Sequence, residues 1–474
     1  MRTYDYLNDE IAVYNEIGCP STWRQSNLGT WFHFTSDPDN IKAILATQFK
    51  DFTLGPLRFN VFEPMLGRGI FTSDGDDWKH SRALLRPQFA RHQISNLNIE
   101  EVHVQHLLSR LNPGNSGWTA AVDFTPLFFN LTLDSATEFL FGESCNTQLL
   151  CSNAIKEAAA NQTRPGEHNL GREGPQDWSS FGKAFDSASQ ALSYRFTLMN
   201  WYFLYNPKSF QRNCAEVRRF ADYYVQRALA RSTQQVKEDD GTTYVFLNEL
   251  VKETREPEEL RSQLLNILLA GRDTTAGLLG WVMYELARHP TIYAKLHQSI
   301  VSSFGPYSSD RSAITFETLK ANSLLQQVLS ETLRLHPTVP NNSRRAVRDT
   351  TLPRGGGEDG QSPLYIRAGE EVMYSVNIMH RRKDIWGEDA ELFRPGRWEG
   401  KKAGWEFLPF NGGPRICLGQ QFALTEAGYV LVRLLQKYDA IENMDKDAEV
   451  KTHLKITSSP AKMLVRLHEA ASSP

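Results

Sequence analysis

Apolar residues recur at helical spacing through most of this 474-residue chain. Segments 94–111, 130–142, 179–196 and 213–235 each repeat them at intervals of three and four, the period of one helix face. The longest such pattern begins after Pro257 and runs through Leu260, Leu264, Leu265, Ile267, Leu268, Leu269, Leu278, Leu279, Trp281 and Val282 to Arg288. His289-Pro290 ends it. A helix of that length is ~45 Å long, enough to cross a domain, and it is apolar nearly all round, which predicts burial. Ala270-Gly271-Arg272-Asp273-Thr274-Thr275 interrupts its middle. Alternation over Thr30 to Thr35 predicts a strand, and Ser36-Asp37-Pro38 predicts a cap on a helix through Ile41 to Ala46. The stretch 163–177, rich in Gly, Glu and Pro, reads as the loosest connection. Past residue 350 the pattern turns to strand and loop. Gly355-Gly356-Gly357 and residues 358–361 predict a turn, Leu364 to Ile366 and Val372 to Val376 predict strands, and Thr457-Ser458-Ser459-Pro460 predicts a hairpin. The fold class expected is mainly α with small β-sheets, as one domain over 1–474.

With 41% hydrophobic and 23% charged residues the chain has ordinary globular composition. Its formal charge of −3 excludes wholesale nucleic-acid binding, since no basic excess is there to neutralise phosphates. Arg381-Arg382-Lys383 and Lys401-Lys402 read as solvated surface, with docking of an acidic partner as the alternative. Five cysteines (Cys19, Cys145, Cys151, Cys214 and Cys417) are odd in number and unclustered, so neither a disulfide framework nor a zinc ribbon is indicated and a reducing compartment fits. The sequons at Asn130, Asn161 and Asn341 are expected by chance. No run of 18 apolar residues occurs, and Met1 to Pro20 mixes Asp, Glu, Asn and Tyr, so neither a signal peptide nor a spanning helix is expected.

Chemistry concentrates in four places. Phe410-Asn411-Gly412-Gly413-Pro414-Arg415-Ile416-Cys417-Leu418-Gly419 sets one cysteine between a glycine-rich turn and the start of an apolar helix. Amides at Gly412 and Gly413 and the positive end of a helix beginning at Leu418 predict a lowered thiol pKa and a thiolate metal ligand, with haem iron the natural occupant. A lone buried cysteine is the alternative. In the long helix, Asp273 beside Thr274 reads as a proton relay, with threonine hydroxyls bonding back to carbonyls, or else as a kink whose Asp pairs with Arg272. Glu331 and Arg334 share a helix face three residues apart; alone, they read as a surface ion pair. Trp78 and Arg82, one turn apart, form a clamp suited to a carboxylate, or an ordinary amphipathic helix.

Together, Phe410-x-x-Gly413-x-Arg415-x-Cys417-x-Gly419, Ala270-Gly271-x-Asp273-Thr274-Thr275, Glu331-x-x-Arg334, Phe393-Arg394-Pro395-Gly396-Arg397-Trp398 and Trp78-x-x-x-Arg82 resemble, in order and spacing, the cytochrome P450 haem-thiolate monooxygenases. The resemblance runs from about Trp31 to Ser459. It implies a long central helix crossing the haem, a catalytic core over 29–470, and Cys417 as proximal iron ligand in the loop that Phe410 opens. It further implies Arg415, Trp78, Arg82 and Arg344 as partners of the haem propionates, Glu331, Arg334 and Arg397 as a supporting network behind the cysteine loop, and Asp273 and Thr274 as the pair delivering protons to dioxygen. Without a flavin or nicotinamide fingerprint in the chain, electrons are expected from NADPH through a partner cytochrome P450 reductase, with cytochrome b5 as a second donor.

Ile41 to Phe49, Asp77 to Arg82, Leu352 to Gly357 and Asn411 to Arg415 resemble the fungal branch that hydroxylates alkanes and fatty acids at the chain end. Leu57 to Met65, Leu265 to Ala270, Thr338 to Asn341 and Thr457 to Ser459 are the expected substrate lining, each with plain core as its alternative. The runner-up substrate is a lipid-like tail of a fungal secondary metabolite; a non-catalytic haem carrier is the alternative of another class. Where animal terminal hydroxylases carry a glutamate bonded to haem, this chain has Ala270, so a non-covalent haem b is expected. The family implies the cytoplasmic face of the endoplasmic reticulum. Residues 1–28 show no anchor helix, so either the anchor is absent from this sequence or the protein sits on the membrane peripherally; Trp201-Tyr202-Phe203-Leu204-Tyr205 reads as core, with membrane contact as its alternative.

Overall fold

The helix Pro257–Arg288 organises the molecule because its two apolar halves are buried in different places. Leu260 to Leu269 pack in one core with helices Gly55–Leu66, Phe181–Thr197 and Lys208–Thr233, whereas Ala276 to Ala287 pack in another with Ser323–Leu335 and Gln420–Lys437. Residues 270–275 fall at the seam. The expected interruption there is not a break, since the helix runs through it unbroken. A helical glycine costs about 1 kcal/mol against alanine, far less than the leucines on either side gain by burial. The Thr274 hydroxyl does donate back to the Ala270 carbonyl, at 2.7 Å.

This computed structural model describes residues 6–18, 20–94, 97–150, 178, 180–233, 244–445 and 450–471. Cys19, Cys151, the Asn161 sequon and the connection 163–177 lie outside the described residues. Three predicted helical segments become Asn98–Leu108, Phe181–Thr197 and Lys208–Thr233. The segment predicted at 130–142 starts earlier, as Phe124–Phe141, because Asp123 caps it by accepting from the Thr125 amide. A helix not expected from the pattern, Tyr6–Glu16, precedes the first strand.

Thr30–Thr35 forms a strand as expected, in a five-stranded sheet ordered Thr22–Asn27, Thr30–Thr35, Glu371–Ser375, Asn341–Ala346, Phe52–Thr53. Its pairing with Glu371–Ser375 is parallel, and the other pairings are antiparallel. Asp37 caps the helix Pro38–Lys42 through the amides of Asp39 and Asn40, and a π-turn, Ala43–Thr47, continues it. Gly355 and Gly356 belong to the strand Thr350–Gly356, so the turn predicted there begins two residues later, at Gly357. The C-terminal hairpin pairs Thr452–Leu454 with Ser458–Pro460. Its turn is therefore residues 455–457, ahead of the predicted position.

That hairpin lies directly against the long helix. A methyl group on Gly277 would stand 2.5 Å from the Ser458 carbonyl oxygen, while the Ser458 amide donates to Thr338 O at 2.9 Å. The contact is backbone to backbone and leaves no side chain to yield. Gly277→Ala is therefore expected to cost about 1–3 kcal/mol, read as a lowered unfolding midpoint in urea; an unchanged midpoint would show that the hairpin shifts freely.

Candidate active site

The cysteine loop is held by two left-handed residues and one close approach. Asn411 and Gly413 have φ of 61° and 66°, and any Cβ on Gly413 would collide with the carbonyl of Leu45. Only glycine fits. The Cys417 amide donates to Phe410 O at 3.0 Å, and the Tyr374 hydroxyl donates to Asn411 Oδ1 at 3.1 Å. Cys417 thus leaves a pinned loop, deep among protein atoms and yet with an accessible side chain.

Two expectations about this cysteine need correction. The following helix is Gln420–Lys437, capped at Gly419, so it begins two residues later than predicted. The thiol pKa is raised, not lowered: burial outweighs the Gly419 amide and the Arg82 charge that pull it down. Gly412 and Gly413 shape the turn and do not stabilise a thiolate. A bound metal ion reverses that balance, because a coordinating thiol is deprotonated by the ion's own charge.

On the long helix Ala270, Gly271 and Thr274 are partly accessible, although Leu269, Asp273 and Thr275 around them are buried. Spaced i, i+1, i+4, they share one partly accessible face of the helix. Asp273 pairs with Arg272 at 3.1 Å, and burial raises its pKa despite that cation. Of the alternatives posed for this segment, the ion pair with Arg272 is present, and the Thr274 hydroxyl bonds to the Ala270 carbonyl. Among the expected lining residues, Val61, Met65, Leu265 and Leu268 are wholly core, and Thr457 to Ser459 are buried in the hairpin contact. Leu57, Ala270 and Val339 retain accessible side chains.

Two arginines flank Trp78, and two more lie close enough to Arg415 to repel it. The Arg415 guanidinium lies 4.4 Å from the indole centroid and pairs with Asp74 at 2.7 Å; Arg82 lies 5.9 Å from the same ring and donates to Ile416 O at 3.0 Å. Arg344 is buried and donates to Ser343 O at 2.7 Å and to Asn342 Oδ1 at 3.2 Å. Arg58 donates to that same Asn342 oxygen at 2.5 Å. Burial, then repulsion from Arg344, brings the pKa of Arg58 down to about 10 and that of Arg415 down to about 9. Asp74 is the acid paired with Arg415, and it also accepts from the amides of Leu54 and Gly55. The Nε atoms of Arg58 and Arg344 are buried without a hydrogen-bond partner among the described residues. So many crowded cations call for an anionic partner. Arg58 has no local sequence signal, because it meets Arg344 only through the shared Asn342.

Glu331 and Arg334 form no surface pair. Both are fully buried and bidentate, with Nε and Nη2 each 2.9 Å from a carboxylate oxygen. Glu331 also accepts from Arg397 Nε at 3.2 Å, Trp398 Nε1 at 2.9 Å and the Arg394 amide at 2.9 Å. Arg334 spends its other protons on the carbonyls of His380, Ala390 and Leu392. Helix Ser323–Leu335 is thereby tied to the loop of residues 380–398. Helical spacing alone could not reveal burial supplied by that distant loop.

An accessible Cys417 thiol, together with arginines of which Arg415 alone among the described residues has a carboxylate partner, fits a flat, iron-bearing macrocycle with two carboxylates, and a mainly helical fold carrying such a site defines a class of haem proteins. The family model described as Cytochrome P450 matches residues 21–466. The chain belongs to the cytochrome P450 family, with that family's fold and monooxygenase chemistry. It is 50% identical over 452 residues to a protein named Cytochrome P450 monooxygenase g430 from Fusarium sp, covering 94% of this chain and 76% of that one. It is 49% identical to Cytochrome P450 52A12 of Debaryomyces hansenii, covering 88% of this chain and 78% of the relative. Cytochrome P450 52A1 of Candida tropicalis is also 49% identical, with 89% and 75% covered.

Replacing Glu331 by Gln leaves Arg334 buried without its carboxylate. The expected cost is about 3–5 kcal/mol, measured as a lowered urea midpoint; a loss below about 1 kcal/mol would contradict the weight given to this network.

Proposed function

We propose that the chain is a single catalytic domain that hydroxylates the terminal carbon of long-chain alkanes or fatty acids, using a non-covalent haem b held by Cys417. The observation that carries this reading is near-half identity to 52A cytochromes across most of the chain, joined to an apolar helix face at Ala270 and Gly271. When bound, the haem supplies activation of dioxygen and insertion of one oxygen atom into a C–H bond. The protein supplies the rest. Arg58, Arg82, Arg344, Arg415 and the Trp78 indole would hold the propionates, and Glu331, Arg334 and Arg397 brace the loop from behind. Asp273 holds a proton more tightly than an ordinary carboxyl and passes it toward the Thr274 hydroxyl. Leu57, Ala270 and Val339 restrict approach by shape, which terminal attack requires because a methyl is harder to oxidise than the methylene beside it.

Electrons come from NADPH through a partner reductase, with cytochrome b5 as a second donor. Among the described residues no helix is long and apolar enough to cross a membrane. The run at 201–205, weighed as core or membrane contact, is largely on the surface: Trp201, Phe203 and Leu204 are 48%, 56% and 68% accessible. Trp201 Nε1 donates to Leu28 O at 3.3 Å and Asn200 to Thr30 Oγ1 at 3.0 Å, joining this run to the exposed Leu28 and Trp31 of the first hairpin. The patch suits the surface of the endoplasmic reticulum membrane on its cytoplasmic face.

Incubation of the haem-loaded protein with a reductase, NADPH and lauric or palmitic acid is expected to yield the chain-end alcohol, identified by mass spectrometry. Absence of hydroxylated product from both acids would overturn the aliphatic-chain reading while leaving the monooxygenase class intact.

A further inference from the structure

Asp273 belongs to a chain of charges that reaches the outside of the protein. The buried Arg272 guanidinium donates from Nη1 to Asp273 Oδ1 at 3.1 Å. It also grips both oxygens of Asp186, Nη1 to Oδ1 at 2.8 Å and Nη2 to Oδ2 at 3.2 Å. Asp186 sits on the helix Phe181–Thr197 with 42% of its side chain accessible, against 1% for Arg272 and Asp273. Lys455, in the turn of the C-terminal hairpin, approaches Asp186 at 3.4 Å. The rings of Phe129 and Phe185, each centred 5.3 Å from the guanidinium carbon, sandwich Arg272. Three separate elements thus deliver four charges to one line.

One cation therefore serves two carboxylates, and Nη1 is common to both. Were Asp186 absent, Arg272 would have Asp273 as its sole carboxylate in this line, and a carboxylate fixed as counter-ion is a poor carrier of protons. Oδ2 of Asp273 is buried and has no hydrogen-bond partner among the described residues, so it is available for a proton. Burial raises the proton affinity of Asp273; Arg272 and Lys455 oppose this, and Asp186 reinforces it. At Asp186 burial acts in the same direction but is outweighed by Arg272 and Lys455, which leaves its pKa below the ordinary value. Among the described residues His453 also faces Asp186 and Lys455, and burial lowers its pKa.

We propose that Asp186 is a positioning residue for proton delivery: by holding Arg272 in a bidentate pair from a separate helix, it keeps Asp273 from being locked as the arginine's counter-ion and so able to serve Thr274. This rests on the reading of Asp273 and Thr274 as the proton pair. A salt bridge that merely fastened two helices would still move the Asp273 midpoint through its charge, but it would leave product formed per NADPH unchanged.

The resting haem-loaded protein provides the first readout, with neither substrate nor reductase: the pH titration of the infrared carbonyl band of protonated Asp273, assigned by its loss in Asp273→Asn. In Asp186→Asn the midpoint is expected to fall by about half to one pH unit, about three- to tenfold fewer protonated carboxyls at a given pH, and Asp186→Glu restores it. Lys455→Met moves the midpoint the other way, which keeps the test open if Asp186→Asn folds poorly. The second readout is product formed per NADPH, with Thr274→Ala alongside. Lower coupling in both Thr274→Ala and Asp186→Asn supports the proposal. An unmoved midpoint in Asp186→Asn, or in Lys455→Met where that variant replaces it, with Thr274→Ala still uncoupled, overturns the role of Asp186 alone. Unchanged coupling in Thr274→Ala overturns the proton-pair reading and this proposal with it.

Discussion

A polar segment in the middle of a buried helix is affordable only where it meets something other than core. Residues 270–275 satisfy that condition because the helix Pro257–Arg288 gives its first half to one apolar cluster and its second half to another. The seam between the clusters is where Ala270, Gly271 and Thr274 are partly accessible and where Arg272 and Asp273 find partners. The site is placed by the hydrophobic effect acting on both sides of it. Its chemistry is then decided by which charges the flanking elements bring.

Those charges are distributed unevenly. At the end of the helix Ser323–Leu335, Glu331 is matched by Arg334 and Arg397 with nearly every hydrogen-bonding atom used, the condition under which a buried ion pair holds a structure rigidly. Around Arg415 the balance fails: Arg58, Arg344 and Arg415 repel one another and Asp74 is shared with backbone amides. The saturated network ties the helix Ser323–Leu335 to residues 380–398, and the unsaturated one calls for an anionic ligand. The contrast argues for a bound group more strongly than either cluster would by itself.

Much of this was legible in the residues. The bounds of the long helix, the strand Thr30–Thr35, the Asp37 cap and the cysteine loop all follow from patterns local in the chain. What escaped depends on distance. Arg58 acquires its place from Asn342, Asp186 from Arg272, and the burial of Glu331 from residues more than sixty positions later. The thiol of Cys417 was read as acidified by its turn because glycine amides and a helix end are visible in sequence, whereas burial, the larger effect, is not. Trp201 to Tyr205 resembled core for the converse reason, since aromatic composition does not say which side of a short helical turn faces water.

The account stands or falls on Cys417 as the ligand to haem iron. Its most direct measurement is the absorption spectrum of the purified, reduced, carbon-monoxide-bound protein. The wild-type chain is predicted to show the red-shifted Soret band of a thiolate-ligated haem, and Cys417→Ser to bind haem without it. A wild-type spectrum lacking that band in a folded, haem-loaded protein would contradict the assignment.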